Sequence, residues 1–367
     1  MKTSPIHKIL GYCLIFLCLP AAIFAQQKKL SYTDAHELMI IGKALSTKGS
    51  LFIRLDSLQN KDMPPKVRDL SKHSAGVAFL FETNATTISA KWTLAKKMYY
   101  ANMTPIGHSG LDLYCYKDGV WQYVGVGRPK EKTSQEEVII DHLAPGNRQY
   151  MLYCPLYNEL DSLAVGVNAG AAIRKPAKPG IDTTKRVVMY GSSILQGASA
   201  SRPGMAYPAI LSRRTGWEFV NLGFSGNAKM EIELAKYLVQ VPASVYVLDC
   251  VPNPSPEQIA GRAYPFIKYI LDHKKSTPVV LVESVHRETA YWDETWKKRV
   301  ADQNRLFRAA YERLIKEGYK NMYYVTSEGQ AGTDHEAAVD GTHLTDLGFM
   351  RMADKVLPVI KQAMAKK

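Results

Sequence analysis

Hydrophobic and polar positions alternate every second residue through the first half of the chain, in short segments at residues 76–82, 86–94, 111–117, 121–126, 137–142 and 148–154. Period two sends successive side chains to opposite faces of an extended strand, so this half is expected to be an antiparallel β-sandwich or jelly-roll-like unit. Two of its turns are explicit. Lys117-Asp118-Gly119 joins two segments as a tight hairpin, and Ala144-Pro145-Gly146-Asn147 joins two more. The stretch Arg174-Lys175-Pro176-Ala177-Lys178-Pro179-Gly180 then breaks the alternation and reads as a linker or a domain-crossing strand. Beyond it the texture changes. Apolar runs at 186–190, 218–222, 244–249, 278–283 and 322–326 alternate with helical stretches at 204–215, 230–240, 256–274, 293–317 and 345–364. Such a βαβ series predicts a parallel, twisted five-stranded sheet covered by helices on both faces. The expected organisation is a β-unit over 26–174, a linker over 175–185 and an α/β unit over 186–367.

The first 25 residues fit neither pattern. Lys2 and Lys8 flank the start of an apolar run at 9–19, followed by Pro20 and small residues up to Ala25. This is the layout of a cleavable export signal, and the run is shorter than the ~20 residues a bilayer crossing needs. The mature chain is therefore expected in the periplasm or outside the cell, without stable membrane insertion. Cys13 and Cys18 lack the small preceding residue of a lipid-attachment site.

Composition adds little beyond this: 46% hydrophobic and 22% charged residues are ordinary for a globular chain of 367 residues. The net charge of +13, two lower without Lys2 and Lys8, is spread along the sequence and reads as solvated surface with a lean toward acidic glycans. Nucleic acid is not an expected partner of an exported chain. Three cysteines follow residue 25: Cys115, Cys154 and Cys250. An odd number cannot close a full disulfide framework; Cys115 and Cys154 either pair or lie buried as free thiols. No Cys-x-x-Cys or His-Glu-x-x-His spacing occurs, so no zinc site is expected.

Reactive groups of an open α/β sheet gather past the carboxyl ends of its strands. At those places the sequence puts Gly191-Ser192-Ser193-Ile194, Gly223-Phe224-Ser225-Gly226-Asn227, Asp249-Cys250-Val251-Pro252-Asn253 and Asp340-Gly341-Thr342-His343-Leu344. A serine hydroxyl becomes a useful nucleophile when an imidazole takes its proton and a carboxylate fixes the imidazole tautomer. Ser193, His343 and Asp340 are candidates for those three roles. Backbone N–H groups of Ser193 and Gly226, with the Asn253 amide, are candidate donors to an oxyanion.

These segments resemble the ordered blocks of the SGNH/GDSL hydrolases. Gly191-Ser192-Ser193-Ile194 is similar to the Gly-Asp-Ser-Leu block, with Ser192 in place of the aspartate. Gly226 and Asn253 match the glycine and asparagine blocks, although Val251-Pro252-Asn253 departs from the usual Gly-x-Asn-Asp. Asp340-Gly341-Thr342-His343 matches Asp-x-x-His. Upstream, Gly110-Leu111-Asp112-Leu113-Tyr114 is similar to the Gly-x-Asp-Leu-Tyr signature of an N-terminal β-domain in related bacterial esterases. The resemblance implies a three-layer α/β/α (flavodoxin-like) domain and ester hydrolysis through an acyl-serine, without cofactor, on a substrate such as an O-acetylated carbohydrate. The alternatives are a lipase or thioesterase for longer acyl chains and an inactive glycan-binding protein.

Other candidates carry competing readings. Glu283, His286 and Arg287 follow the fourth strand and read either as substrate contacts or as a surface salt-bridge cluster. His335, between Asp334 and Glu336, lacks the Asp-x-x-His spacing. Asp112 and Tyr114 are expected to hold the N-terminal sheet together rather than to bind ligand.

Overall fold

The computed structural model describes residues 29–46, 49–55 and 61–365, so the expected export signal lies outside the described residues. Ten strands build the first half: β1 (Leu30–Asp34), β2 (Met39–Ile41), β3 (Ala78–Thr83), β4 (Ile88–Leu94), β5 (Leu111–Lys117), β6 (Val120–Gly127), β7 (Ser134–Ile140), β8 (Arg148–Tyr153), β9 (Leu160–Asn168) and β10 (Ile173–Arg174). Two short helices, α1 (Pro65–Leu70) and α2 (Pro105–Ser109), lie between them. One sheet has the order β1-β9-β4-β7; the other runs β10-β3-β8-β5-β6, with β2 also on β3. Every pairing in both sheets is antiparallel. Phe79, Phe81, Trp92, Leu113, Leu152 and Val165 fill the space between the sheets. A fully buried side chain of this size is worth roughly 2 kcal/mol relative to its exposed form, which makes this layer the main source of the sandwich's cohesion.

The second half holds β11 (Asp182–Gly191), β12 (Trp217–Gly223), β13 (Val245–Asp249), β14 (Val279–Val282) and β15 (Met322–Val325). They form one parallel sheet in the order β12-β11-β13-β14-β15, the flavodoxin-like arrangement expected from the βαβ series. The helices are α3 (Ser193–Gln196), α4 (Tyr207–Thr215), α5 (Ile232–Leu238), α6 (Pro256–His273), α7 (Glu294–Lys316) and α8 (Asp346–Ala365). One face of the sheet packs on α5, α6 and α7 through Val188, Leu222, Leu248, Phe266, Ile267 and Phe307. The other packs on α4 and α8 through Val187, Met189, Val247, Ile210, Phe349 and Met352. The chain thus has the expected three-layer α/β/α unit preceded by an antiparallel β-sandwich. β11 starts at Asp182, inside the stretch expected to be linker, because Asp182 already pairs with Trp217 before an irregularity that ends at Arg186. No helix among the described residues is long and apolar enough to cross a membrane.

The two halves share their interiors. The outer face of the β3-β8-β5 sheet carries Leu80, Tyr114, Met151 and Tyr153, which pack with Ile181 and with Ala209 of α4. Arg54 is fully buried: its guanidinium donates to the carbonyls of Leu70 and His73 on one side and of Asn221 and Gly223 at the end of β12 on the other. Desolvation holds its pKa down at about 9.

Asp112 and Tyr114 differ from expectation. The Asp112 carboxylate, wholly buried, accepts from Arg202 Nη1 and from the Gly204 N–H, both at 2.8 Å, and Arg202 also donates to the Tyr114 hydroxyl. Asp112 thus binds the α/β unit, while Tyr114 meets Arg202 and also packs edge-on against Tyr123 and Tyr153 of its own sheet, because β5 lies inside a sheet whose outer face is covered.

Cys115, Cys154 and Cys250 are buried free thiols. Of the two readings of Cys115 and Cys154, the structure has the unpaired one.

Candidate active site

The parallel sheet reverses its direction of growth between β11 and its two neighbours, β12 and β13, which opens a crevice at their carboxyl ends. Ser193 stands there as the first residue of α3. Ser192 caps that helix, its hydroxyl accepting the Ile194 N–H at 3.3 Å, while its own N–H is tied to the Asp249 carbonyl on β13. The helix ends after one turn at Gly197, in left-handed conformation. Asn221 donates to the Leu195 carbonyl, and Gln196 reaches the Ser225 N–H. Ser193 is thereby fixed to the loops after β12 and β13.

Its hydroxyl lies 2.9 Å from His343 Nε2, across 150 residues of sequence. The other ring nitrogen, Nδ1, is 2.7 Å from Asp340 Oδ2. The remaining carboxylate oxygen, Oδ1, accepts the N–H groups of Thr342 and His343, at 3.0 and 2.8 Å. A three-residue separation folds back on itself here because Gly341, at φ +78°, takes a left-handed conformation, and an added Cβ would lie 2.1 Å from the Thr289 hydroxyl. Burial alone would raise the Asp340 pKa, but the backbone and imidazole bonds from His343, its positive charge and the Asn102 amide hold it at about 2. A carboxylate that stays ionised beside Nδ1 leaves Nε2 able to exchange a proton with the serine.

The candidate oxyanion donors lie on the loops that follow β11, β12 and β13. Gly226 has φ +70°, and a Cβ there would have nothing within 4 Å, so the backbone is turned at an open position. The Asn253 carboxamide oxygen accepts the Ala228 N–H at 3.2 Å, which ties the two loops together and leaves the amide NH₂ free to donate. Two buried side chains grip the Asn253 loop with three bonds: Gln303 Nε2 donates to the Val251 and Pro254 carbonyls, and Arg287 Nη2 to that of Pro252.

Arg287, with Glu283, corrects the surface-cluster reading. Both are buried, and Glu283 accepts from Arg308, Tyr324 and the Ser327 N–H at the end of β15. Arg287 stacks over Trp296, with Cζ 4.4 Å from the ring centroid; burial lowers its pKa to about 10. His286 stacks edge-on against Tyr291, and His335 pairs with Glu288 at 2.9 Å; neither bonds Ser193. The residue that sequence reasoning missed is Asn102, whose Nδ2 lies 2.9 Å from Asp340 Oδ2 and 3.3 Å from His343 Nδ1. It belongs to an irregular segment of the sandwich half with no motif to mark it. Among the described residues no cluster of His, Cys, Asp or Glu is arranged to hold a metal ion.

The chain matches two family models: the GDSL-like lipase/acylhydrolase family over residues 184–361, and the GxDLY N-terminal domain of SGNH-hydrolase-type esterases over residues 30–173. A GDSL-like lipase from Bacteroides ovatus is 43% identical; the match covers 92% of this chain and 98% of that one, with a TM-score of 0.88. A salicylyl-acyltransferase from a tetracycline biosynthetic pathway shares the fold over 92% and 98% of the two chains at 19% identity and a TM-score of 0.71. A family two carbohydrate esterase from Cellvibrio japonicus does so over 92% and 99% at 10% identity and a TM-score of 0.59. No curated protein matches. The two family models and the Bacteroides ovatus match together show that the chain belongs to the SGNH/GDSL hydrolases, with a GxDLY-type N-terminal domain.

Proposed function

We propose that the protein is an exported serine esterase that removes an acyl group, an O-acetyl group above all, from a carbohydrate. The observation that carries the reading is the continuous relay from Ser193 Oγ through His343 to Asp340, at 2.9 and 2.7 Å.

Ser193 Oγ attacks the ester carbonyl and gives its proton to His343 Nε2. The resulting oxyanion accepts from the backbone N–H groups of Ser193 and Gly226 and from the Asn253 amide. Asp340 orients the ring and stabilises the imidazolium, remaining ionised throughout. Collapse of the intermediate breaks the bond to the sugar oxygen, which leaves with the proton from Nε2. Water then gives a proton to Nε2 and attacks the acyl-serine; the acid departs as Ser193 regains its hydrogen. No step draws on a metal or organic cofactor.

Support for a carbohydrate ester comes from the shared two-unit fold of the carbohydrate esterase and from the spread of basic charge. Export is supported by the pattern of residues 1–25. The test is acetate release from 4-nitrophenyl acetate and from acetylated polysaccharides by the mature protein, beside Ser193→Ala. A loss of about 10³-fold or more in the variant, with little turnover of octanoyl esters, is the expected result. A folded Ser193→Ala protein with retained activity rules out the nucleophile, and faster octanoyl turnover moves the substrate to longer acyl chains.

A further inference from the structure

The sandwich half reaches the triad through Asn102. Its segment is held against the α/β unit by several independent means. Met103 is buried in the core beneath β11 and β13, and Thr104 Oγ1 donates to the Ser201 carbonyl at 2.5 Å. At Gly107 the backbones run so close that an added Cβ would lie 2.5 Å from the Ala200 carbonyl oxygen. Ser201 in turn holds Asp346, its N–H on Oδ1 at 3.0 Å and its hydroxyl on Oδ2 at 2.5 Å. Asp346 opens α8, three residues beyond His343. The loop bearing Asp340 and His343 is therefore gripped at both ends by one segment: directly by Asn102, and through Thr104 and Ser201 at Asp346.

The four bonds on Asp340 divide by origin. Oδ1 takes two N–H groups from its own loop, while Oδ2 takes His343 Nδ1 and the Asn102 amide. The Asp340 side chain is 35% exposed. Without the amide, water competes for Oδ2 and nothing outside the loop fixes the rotation of the carboxylate about its χ angles.

We propose that Asn102 is a positioning residue: its amide, delivered by the β-sandwich, holds the Asp340 carboxylate so that Oδ2 faces His343 Nδ1. The β-domain thus completes the triad rather than merely adjoining it. This assignment rests on the serine-esterase reading above.

Its test compares the full chain with Asn102→Ala and Asn102→Asp by 4-nitrophenyl acetate kinetics, by thermal unfolding and by the low-field NMR resonance of the His343 Nδ1 proton. The expected result for Asn102→Ala is a kcat lowered by about tenfold to a hundredfold, the scale of a small misplacement of reacting groups, with KM within about twofold and an unchanged unfolding temperature. The low-field resonance should broaden as water reaches Oδ2. Asn102→Asp should lose as much or more, because a second carboxylate repels the first. A kcat within about twofold of wild type together with an unchanged resonance overturns the assignment, as does a rise in KM at constant kcat, which would make Asn102 a substrate contact. Activity lost only in step with stability also overturns it. An inactive wild type or an active Ser193→Ala sinks the esterase reading instead, while the resonance, which needs no turnover, still decides for Asn102.

Discussion

The two halves of the molecule present their polar residues in opposite ways. In the α/β half, Ser193, Asn253, Asp340 and His343 all sit on loops at one end of a parallel sheet, where strand geometry forces convergence. In the sandwich half, Arg54, Asp112 and Asn102 are scattered over a loop, a central strand and an irregular segment, yet each reaches across to the other half. The first arrangement gathers groups suited to chemistry; the second ties one half to the other. A second domain can therefore matter to a reaction without offering a reactive group, and its contribution shows only where its side chains end, not where they begin.

The sharpest way to break this comparison is to cut the clamp. Asp112→Ala removes the buried partner of the partly exposed Arg202, which keeps the Tyr114 hydroxyl, and leaves the Gly204 N–H unpaired; the cost should be about 2 to 3 kcal/mol of unfolding free energy by urea titration, with turnover retained by the protein that stays folded. A loss below about 1 kcal/mol would mean that the other contacts, the apolar layer of Tyr114, Ile181 and Ala209 and the Arg54 bonds, join the halves without it. Asn253→Ala tests the other half: kcat should fall about a hundredfold, roughly 3 kcal/mol of transition-state stabilisation, with stability little changed. An equal fall in stability would make Asn253 a loop anchor for Ala228 rather than an oxyanion donor.

At neutral pH the least visible effect is a pH dependence at the junction of the halves. Burial first, then the positive charges of Arg54, Lys96 and Lys66, depress the His73 pKa from 6.5 to about 3. His73 stays neutral in the folded protein, whereas the unfolded chain takes up a proton below about pH 6.5. Its contribution to stability is complete above that pH and is lost progressively as pH falls toward 3. His73→Gln, which can still meet Gln196 Nε2, should flatten this acid limb in pH-dependent unfolding while changing little at pH 8. An unaltered limb would assign it to other groups.

The α/β half was legible because its signals are local. Each apolar run is buried on both sides by helices, the long helices α6 and α7 carry start signals in the Ser255/Gln258 capping box and the Asp293 cap, and the triad residues lie in short blocks. In the sandwich, β3 through β8 announced themselves by alternation, but β1, β2, β9 and β10 did not. β9 contains Gly166, which lies beneath the Tyr32 ring, where an added Cβ would come within 2.4 Å; a residue chosen for what crosses over it leaves a gap in the hydrophobic pattern. β3, β5 and β8 are buried on both faces, so their polar members read as sheet residues although Asp112 in fact faces a different unit. Asn102 and Arg54 were illegible for a related reason: the bonds that tie them to the other half span more than a hundred residues, and no local motif marks either position.

The three buried thiols divide between these regions. Cys115 and Cys154 belong to the sandwich interior, and Cys250 to the core beneath α5 and α6. Burial pushes each thiol up from its ordinary range, so an alkylating reagent finds little thiolate in the folded protein and labels a site mainly when its surroundings open. The chain thus carries an internal stopwatch in each half. Matching labelling rates at Cys154 and Cys250 would report that sandwich and α/β sheet breathe as one body, and different rates would report which of them lets go first.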